Sequence, residues 1–506
     1  MTTPGPFNTA DYLLGHGSAD DVAVVDAGQQ HTYARLRTAS ATLMSSLETL
    51  DLPAGSRVAV VGPNSFFWIA AYLATMKLGH VAVPVSDKLT AESVRRNLDV
   101  VGCHAAFVDR RTLRRFASAF EADTGLITDE VASTGPTRPW PDPVPCDPDA
   151  DAALMFTSGT TSRPKAVRVT HRNIQANTDS ILTYLGLRQD DRGLVVLPFY
   201  YCYGTSLLHT HLRAGARLVL LNSFVFPEAA LDLLEREECT VFAGVPSTFQ
   251  LLVRASSFSS RELPSLRLIQ QAGGKLSPVL AEELLAARNG AEIILMYGQT
   301  EATARLSYLP PDRLRAKSGS IGRGIPGVEL RVLDESGRQV GPGEQGEIYA
   351  RGDNISPGYL GDPDGTAAKF TPNGLRTGDL AWVDQDGDIF VVDRRDDFIK
   401  SWGHRVSSHE IEDCALRLDS LVAAAAIGVP DPAAGEAIAL FVVPRPGAPA
   451  TPDEVLAVCR VHLAKHMVPS SVLVLDALPI NANGKVEKSR LRELATHVGD
   501  AGERRA

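Results

Sequence analysis

The sequence predicts an α/β protein. A large N-terminal domain of layered α/β subdomains plus a β-rich subdomain is followed by a small α/β C-terminal domain. Three observations carry this. Short Val/Ala/Leu runs alternate with helix-length amphipathic stretches through much of the first 300 residues, which is the pattern of a largely parallel sheet layered with helices. From about Gly319, Gly- and Pro-rich turns separate short strands instead. Beyond residue 400 a self-contained α/β pattern of about a hundred residues, ordinary domain size, closes the chain. At 506 residues the chain is also too long for one core.

The elements follow in order. Residues 57–62 (RVAVVG) predict a strand, a helical stretch begins at Asn64, and residues 81–84 (VAVP) predict the next strand. The same alternation recurs at residues 192–197, in the stretch from Ser206, and at 216–221 (ARLVLL). VELRVLD, GEQGEIYARG and GDIFVVD supply the short strands of the β-rich part. In the last part a helix is predicted over 407–418, strands over 422–429 and 437–444, and a helix over 452–465, with the final GDAGERRA frayed.

The formal net charge is -10, and basic clusters such as Arg110, Arg111, Arg114 and Arg115 are short, which reads as a solvated helix face and argues against a nucleic-acid partner. Six scattered cysteines without a CxxC pair suggest neither a disulfide framework nor a zinc site. The first residues lack the basic and apolar regions of a signal peptide, and the apolar stretches near 66–78 and 421–429 fall short of the ~18 residues a membrane span needs. A cytoplasmic enzyme is the expectation.

Residues 154–171, LMFTSGTTSRPKAVRVTH, run an apolar strand into hydroxyls, glycine and a basic residue, then into a second strand. Thr157, Ser158, Thr160 and Thr161 supply donors, Gly159 lets the backbone approach, and Lys165 adds positive charge, as phosphate oxygens require. It is no Walker loop, and an ordinary Ser/Thr-rich turn has the same composition. The segment resembles the phosphate loop, TSGTTGxPKGV, of the adenylate-forming superfamily, which includes acyl-CoA synthetases, luciferase and peptide-synthetase adenylation domains. Ser162 and Ala166 stand where glycines are common in that pattern.

Four more segments match the family in chain order. MYGQTE at 296–301 offers a stacking face, a hydroxyl and a carboxylate. The resemblance implies that Tyr297 stacks on adenine, Thr300 touches the α-phosphate and Glu301 holds Mg2+, with Gly298, Gln299, Gly273 and Gly274 in the nucleotide set. In LRTGDL it places Asp379 on the ribose hydroxyls. In DRRDDFIKSWGHRVSSHEIE it assigns Arg394 to the ribose, Asp396 to the hinge, Gly403 to the approach of the acceptor thiol and Arg405 to phosphate, which puts the domains at 1–395 and 396–506. In LPINANGKVEK it makes Lys485 the catalytic lysine, bridging the attacking carboxylate and the α-phosphate.

The resemblance therefore implies ATP- and Mg2+-dependent adenylation of a carboxylic acid, release of pyrophosphate, rotation of the small domain and acyl transfer to a thiol. Alignment on these motifs gives an acyl pocket of Tyr201, Cys202, Tyr203, Ser206, Gly244, Gln270, Ala272, Met296, Ala304 and Arg305. Cys202 falls where amino-acid-activating relatives carry an Asp, which argues against an α-amino acid. Met296 stands where Gly or Ala lets a long chain pass, which argues against a fatty-acyl tunnel. A small or medium acid with a polar substituent paired to Arg305 is expected, unless Arg305 braces the following loop. The acceptor is coenzyme A or the phosphopantetheine of a separate carrier protein, and transfer to nitrogen stays open. A nucleotide-binding regulator without turnover is the reading from another class, against which the retention of Lys485, Glu301, Asp379, Arg394 and Arg405 counts.

Overall fold

A parallel strand covered on both faces needs apolar side chains at nearly every position, not at alternate ones. The strands Val81–Val85, Ala105–Val108, Val241–Gly244 and Leu268–Gln271 meet that demand and are buried throughout. The computed structural model describes residues 8–122, 124–143, 145–157, 164–288, 290–394, 398–481 and 485–503, the side chains of Ser133 and of residues 496–503 excepted. Among the described residues the fold is α/β with a large N-terminal part and a small C-terminal one.

Two sheets organise the large part. A nine-stranded sheet among the described residues has a parallel centre running Glu292–Tyr297, Leu268–Gln271, Val241–Gly244, Arg192–Val195, Arg217–Leu220 and Val22–Asp26. A six-stranded sheet carries Arg57–Val61 and Val81–Val85 at its centre and ends on the antiparallel pair Asp151–Phe156 and Ala166–Thr170. Helices fill the space between them. Helix Phe66–Lys77 is buried at every position from Trp68 to Lys77, which explains an apolar sequence with no polar face.

Helix His171–Leu185 faces inward with a polar stripe. Its start is fixed by a capping box between Thr170 and Asn173, and its end by Gly186 at φ 56°. Asn173, Asn177, Ser180 and Tyr184 recur at helical spacing; the first three bond loops, at Asp353 O and Ile355 O, Arg305 O and Pro326 O, and Tyr184 bonds Met296 Sδ on strand Glu292–Tyr297. The helix thus ties the β-rich part to the large sheet.

The β-rich part is antiparallel, built on Glu329–Leu333, Gln345–Arg351, Gly374–Val383 and Ile389–Arg394. The small part turns on a long hairpin of Leu421–Asp431 and Gly435–Pro444, with Ser471–Val474 added in parallel. Helices Ser408–Ala415 and Pro452–His462 cover one face of it. Helix Lys488–Glu503 covers the other through Leu491, with Leu494 and Ala495 packed against the same cluster. The stretch expected as a helix from Ser206 starts earlier, at Cys202. The small part is seated on the large one by Arg254, which donates to Leu421 O at 2.5 Å and Leu416 O at 3.2 Å while paired to Glu283.

Candidate active site

The strand Gly374–Val383 alternates buried and partly exposed residues, and Asp379 lies on its buried face. Its register sets Arg394 directly opposite, and Arg394 Nε reaches Asp379 Oδ1 at 3.3 Å. Tyr297, at the end of strand Glu292–Tyr297, donates its hydroxyl to Asp379 Oδ2 at 2.5 Å. Burial and the neighbouring carboxylate push the Tyr297 phenol well above its ordinary range, so it stays a neutral donor. These three side chains form one unit of a flat ring, an anion and a cation, joined by a hydrogen bond and an ion pair.

Glu301 lies next along the chain, 8 % exposed, and accepts the Tyr359 hydroxyl at Oε1 over 2.7 Å. The Tyr359 ring lies 4.7 Å from Lys165 Nζ, and Lys165 pairs with Asp362 at 3.3 Å. Thr157 N bonds Lys165 O, closing the base of the loop between them. Ser158, Gly159, Thr160 and Thr161 lie outside the described residues, as does Asp396. Tyr359 and Asp362 were missed from sequence, since they lie outside the five motifs. Lys369 was missed too: it donates to Thr377 O at 2.8 Å, and burial lowers its ammonium although Glu301 and Asp379 oppose that.

Lys485 arrives from the small part. Its hairpin is held by Asn481, which accepts from Lys485 N at 3.0 Å through its side chain. Nζ lies 5.9 Å from the centre of the Tyr201 ring. Burial depresses its ammonium below the ordinary 10.5, Arg394 adds repulsion, and Cys202, Asp379 and Glu301 pull the other way. Lys485, Arg394, Asp379 and Glu301 therefore share one electrostatic neighbourhood. Gly403 and Arg405 do not join it. They lie exposed on the hairpin of Ile399–Ser401 and His404–Val406, Gly403 at φ 76°, because the small part presents the Lys485 hairpin to the site instead.

The expected acyl-pocket residues come together around the start of helix Cys202–Ala214. Gly204 is required there, since a Cβ would lie 2.1 Å from Pro198 O. Gly273, at φ 87°, has the Tyr201 hydroxyl where its Cβ would be, and Gly274 faces Pro246. Thr300 donates to Cys202 Sγ at 3.5 Å, and burial raises the Cys202 thiol, keeping it neutral. Tyr201 and Tyr203 meet edge-on at 6.3 Å, and Ser206 bonds Tyr203 O. Gly244, Gln270, Ala272 and Met296 lie at the ends of adjacent strands. Gly298 and Gln299 begin a tight turn in which Thr303 has φ 60° and Ala304 φ 146°, and it delivers Arg305. The alternative that Arg305 braces this turn is met by its main chain: its carbonyl accepts from Asn177 and Asn354.

Comparison with known proteins shows the family. The family described as AMP-binding enzyme matches residues 15–360, and the AMP-binding enzyme C-terminal domain matches residues 410–485. A feruloyl-CoA synthase of Amycolatopsis sp. is 33% identical over 480 residues, spanning 93% of this chain and 95% of its own. The ATP-bound crystal structure of MatB from Rhodopseudomonas palustris superposes with a TM-score of 0.87 at 28% identity, covering 97% of this chain and 99% of its own. The o-succinylbenzoate CoA synthetase of Bacillus subtilis, bound to its acyl-adenylate intermediate, does so with a TM-score of 0.83 at 27% identity over 97% and 99%.

Proposed function

The chain belongs to the AMP-binding enzyme family and is an AMP-forming acid–CoA ligase, and we propose how its residues divide that work. ATP lies with its adenine against Tyr297 and the Gly273–Gly274 main chain and its ribose hydroxyls on Asp379, with Arg394 alongside. The phosphates lie on the loop closed by Thr157 and Lys165. Among the described residues no Lys or Arg pairs with the buried Glu301 carboxylate, so it suits a divalent cation, and Mg2+ held there would neutralise phosphate charge. The acid's carboxylate attacks the α-phosphorus, and the P–O bond to the leaving pyrophosphate breaks. Lys485 and Thr300 offset the charge that develops on the way. The sulfur of coenzyme A then attacks the acyl carbon of the acyl-adenylate, and AMP leaves.

The observation that carries this division is the position of Lys485, brought by the small part into the neighbourhood of Asp379, Arg394 and Glu301. That is an arrangement for adenylation. Thioester formation needs the small unit, 396–506, to turn on the large one, 1–395, about Asp396 and to exchange the Lys485 hairpin for the one bearing Gly403 and Arg405. ATP and coenzyme A as co-substrates favour a cytoplasmic site of action; no helix among the described residues is long and apolar enough to cross a membrane.

Pyrophosphate release with ATP and Mg2+, measured across a panel of carboxylic acids with and without coenzyme A, tests the reading. One acid class is expected to drive turnover only when coenzyme A is present, forming AMP and acyl-CoA in equal amounts. A single stoichiometric burst that coenzyme A leaves unchanged would point to a carrier protein or a nitrogen acceptor instead.

A further inference from the structure

The inner face of the acyl pocket holds two polar groups that adenylation does not use. Along strand Leu268–Gln271, Gln270 shares a face with Leu268 and Ala272, and its cross-strand neighbours are Ala243 and Ile294, all of the same apolar core. A glutamine in that position is fully buried, and among the described residues neither its amide nitrogen nor its amide oxygen has a hydrogen-bond partner. Buried amides are almost always paired, so an orphan on both atoms calls for a partner from outside the chain.

Arg305 is the second group. It is 2 % exposed, its Nε points at Met296 Sδ over 3.3 Å, and its guanidinium lies 4.1 Å from the centre of the Tyr203 ring. Among the described residues no carboxylate lies within 4.0 Å of it. The Tyr184 hydroxyl also bonds it, but a thioether, a phenol and a ring face together offset only a fraction of what removing a full charge from water costs. The turn does not need the side chain, since the main chain supplies the bracing. Its strained residues Thr303 and Ala304 are fixed by Asn354 and Leu306, through Thr303 Oγ1 to Asn354 O and Leu306 N to Tyr297 O. Tyr203 lies between the two residues, with its ring against Arg305 and its hydroxyl donated to the Gln270 main-chain carbonyl at 2.8 Å.

Resting on the acid–CoA ligase reading, we propose that the activated acid carries a second anionic group, received by Arg305 and Gln270. Lys485 sits over one ring of the edge-on Tyr201–Tyr203 pair and Arg305 over the other, so one compact dicarboxylic acid can present a carboxylate to each cation. The reacting carboxylate goes to the Lys485 end. The second accepts from the guanidinium and from the Gln270 amide.

Acid-dependent exchange of labelled pyrophosphate into ATP, measured with dicarboxylic acids, their half-esters and the matched simple monoacids, tests this. In the native enzyme kcat/KM for the best diacid should exceed that for its half-ester by about 30-fold or more, the usual worth of a buried charge-assisted pair. That ratio should fall toward one in Arg305→Gln, recover in part in Arg305→Lys, and fall by roughly 5-fold in Gln270→Leu. The native panel and Gln270→Leu decide the matter if Arg305→Gln does not fold. A native enzyme that exchanges equally well or better with half-esters or monoacids overturns the proposal and leaves the ligase reading standing. Exchange with no acid at all overturns the ligase reading, and the proposal with it.

Discussion

Lys485 illustrates how far one side chain depends on its surroundings. On an exposed hairpin it would be an ordinary surface lysine. Placed beside Arg394 and out of water, its ammonium is depressed below 10.5, with Asp379 and Glu301 limiting the fall. In the proposed role the cation is the useful form, and it is lost as pH rises through that depressed value. The adenylation rate should therefore have an alkaline limb below pH 10.5 that moves upward in Lys485→Arg, because a guanidinium does not titrate there. The pH profile of pyrophosphate exchange reads this directly. A limb at or above 10.5, or one that Lys485→Arg leaves in place, would show that another group sets it. The partners of such residues were the least legible part of the sequence. Asp379, Tyr297 and Glu301 sit in motifs that single out a nucleotide site only through their resemblance to the family's, in the family's order. Tyr359 does not: nothing in GYLGD says that its hydroxyl reaches Glu301 across 58 residues of chain, because that contact is made by tertiary packing.

Among the elements, the turn from Gly298 to Leu306 does the most positioning. It leaves strand Glu292–Tyr297, makes a short 3-10 turn at Thr300–Ala302, passes through two positive-φ residues and returns as strand Ser307–Leu309. Gly298 permits the fold-back: a Cβ there would lie 1.8 Å from Ala304 O. Gly298→Ala should cut acid-dependent pyrophosphate exchange by about 100-fold or more, since Thr300, Glu301 and Arg305 all hang from that turn. Far-ultraviolet circular dichroism should stay close to native, because the sheets lie outside it. Near-native exchange in this variant would mean that the turn does not position the site. The sequence marked this segment through MYGQTE, yet its strain was invisible, since Thr and Ala rarely adopt positive φ and nothing local asks them to. The parallel sheets were legible for the opposite reason: continuous apolar runs of strand length have few other uses. The helix His171–Leu185 lies between these cases. Its spacing reads as amphipathic, but its polar stripe turns inward to anchor loops, and periodicity alone cannot tell solvent from a loop carbonyl.

Across the whole molecule, the two parts are joined by a seam as well as by the chain. Arg254 is buried and carries its charge against Glu283, and it spends its remaining donors on two carbonyls of the small part. A seam of a few directional bonds holds one seating well and can be left without exposing a large apolar core. That is what an enzyme with two successive reactions at one site requires. In the proposed division of work the Lys485 hairpin serves the first reaction, while Gly403 and Arg405 lie on an exposed hairpin of the same small part. The most direct measurement separates the two half-reactions in Lys485→Ala: pyrophosphate exchange with acid and ATP, and thioester formation from supplied acyl-adenylate and coenzyme A. The first should fall by about 100-fold or more, while the second stays within a few-fold of native. Equal loss of both would contradict a small part that brings Lys485 for one step and removes it for the next.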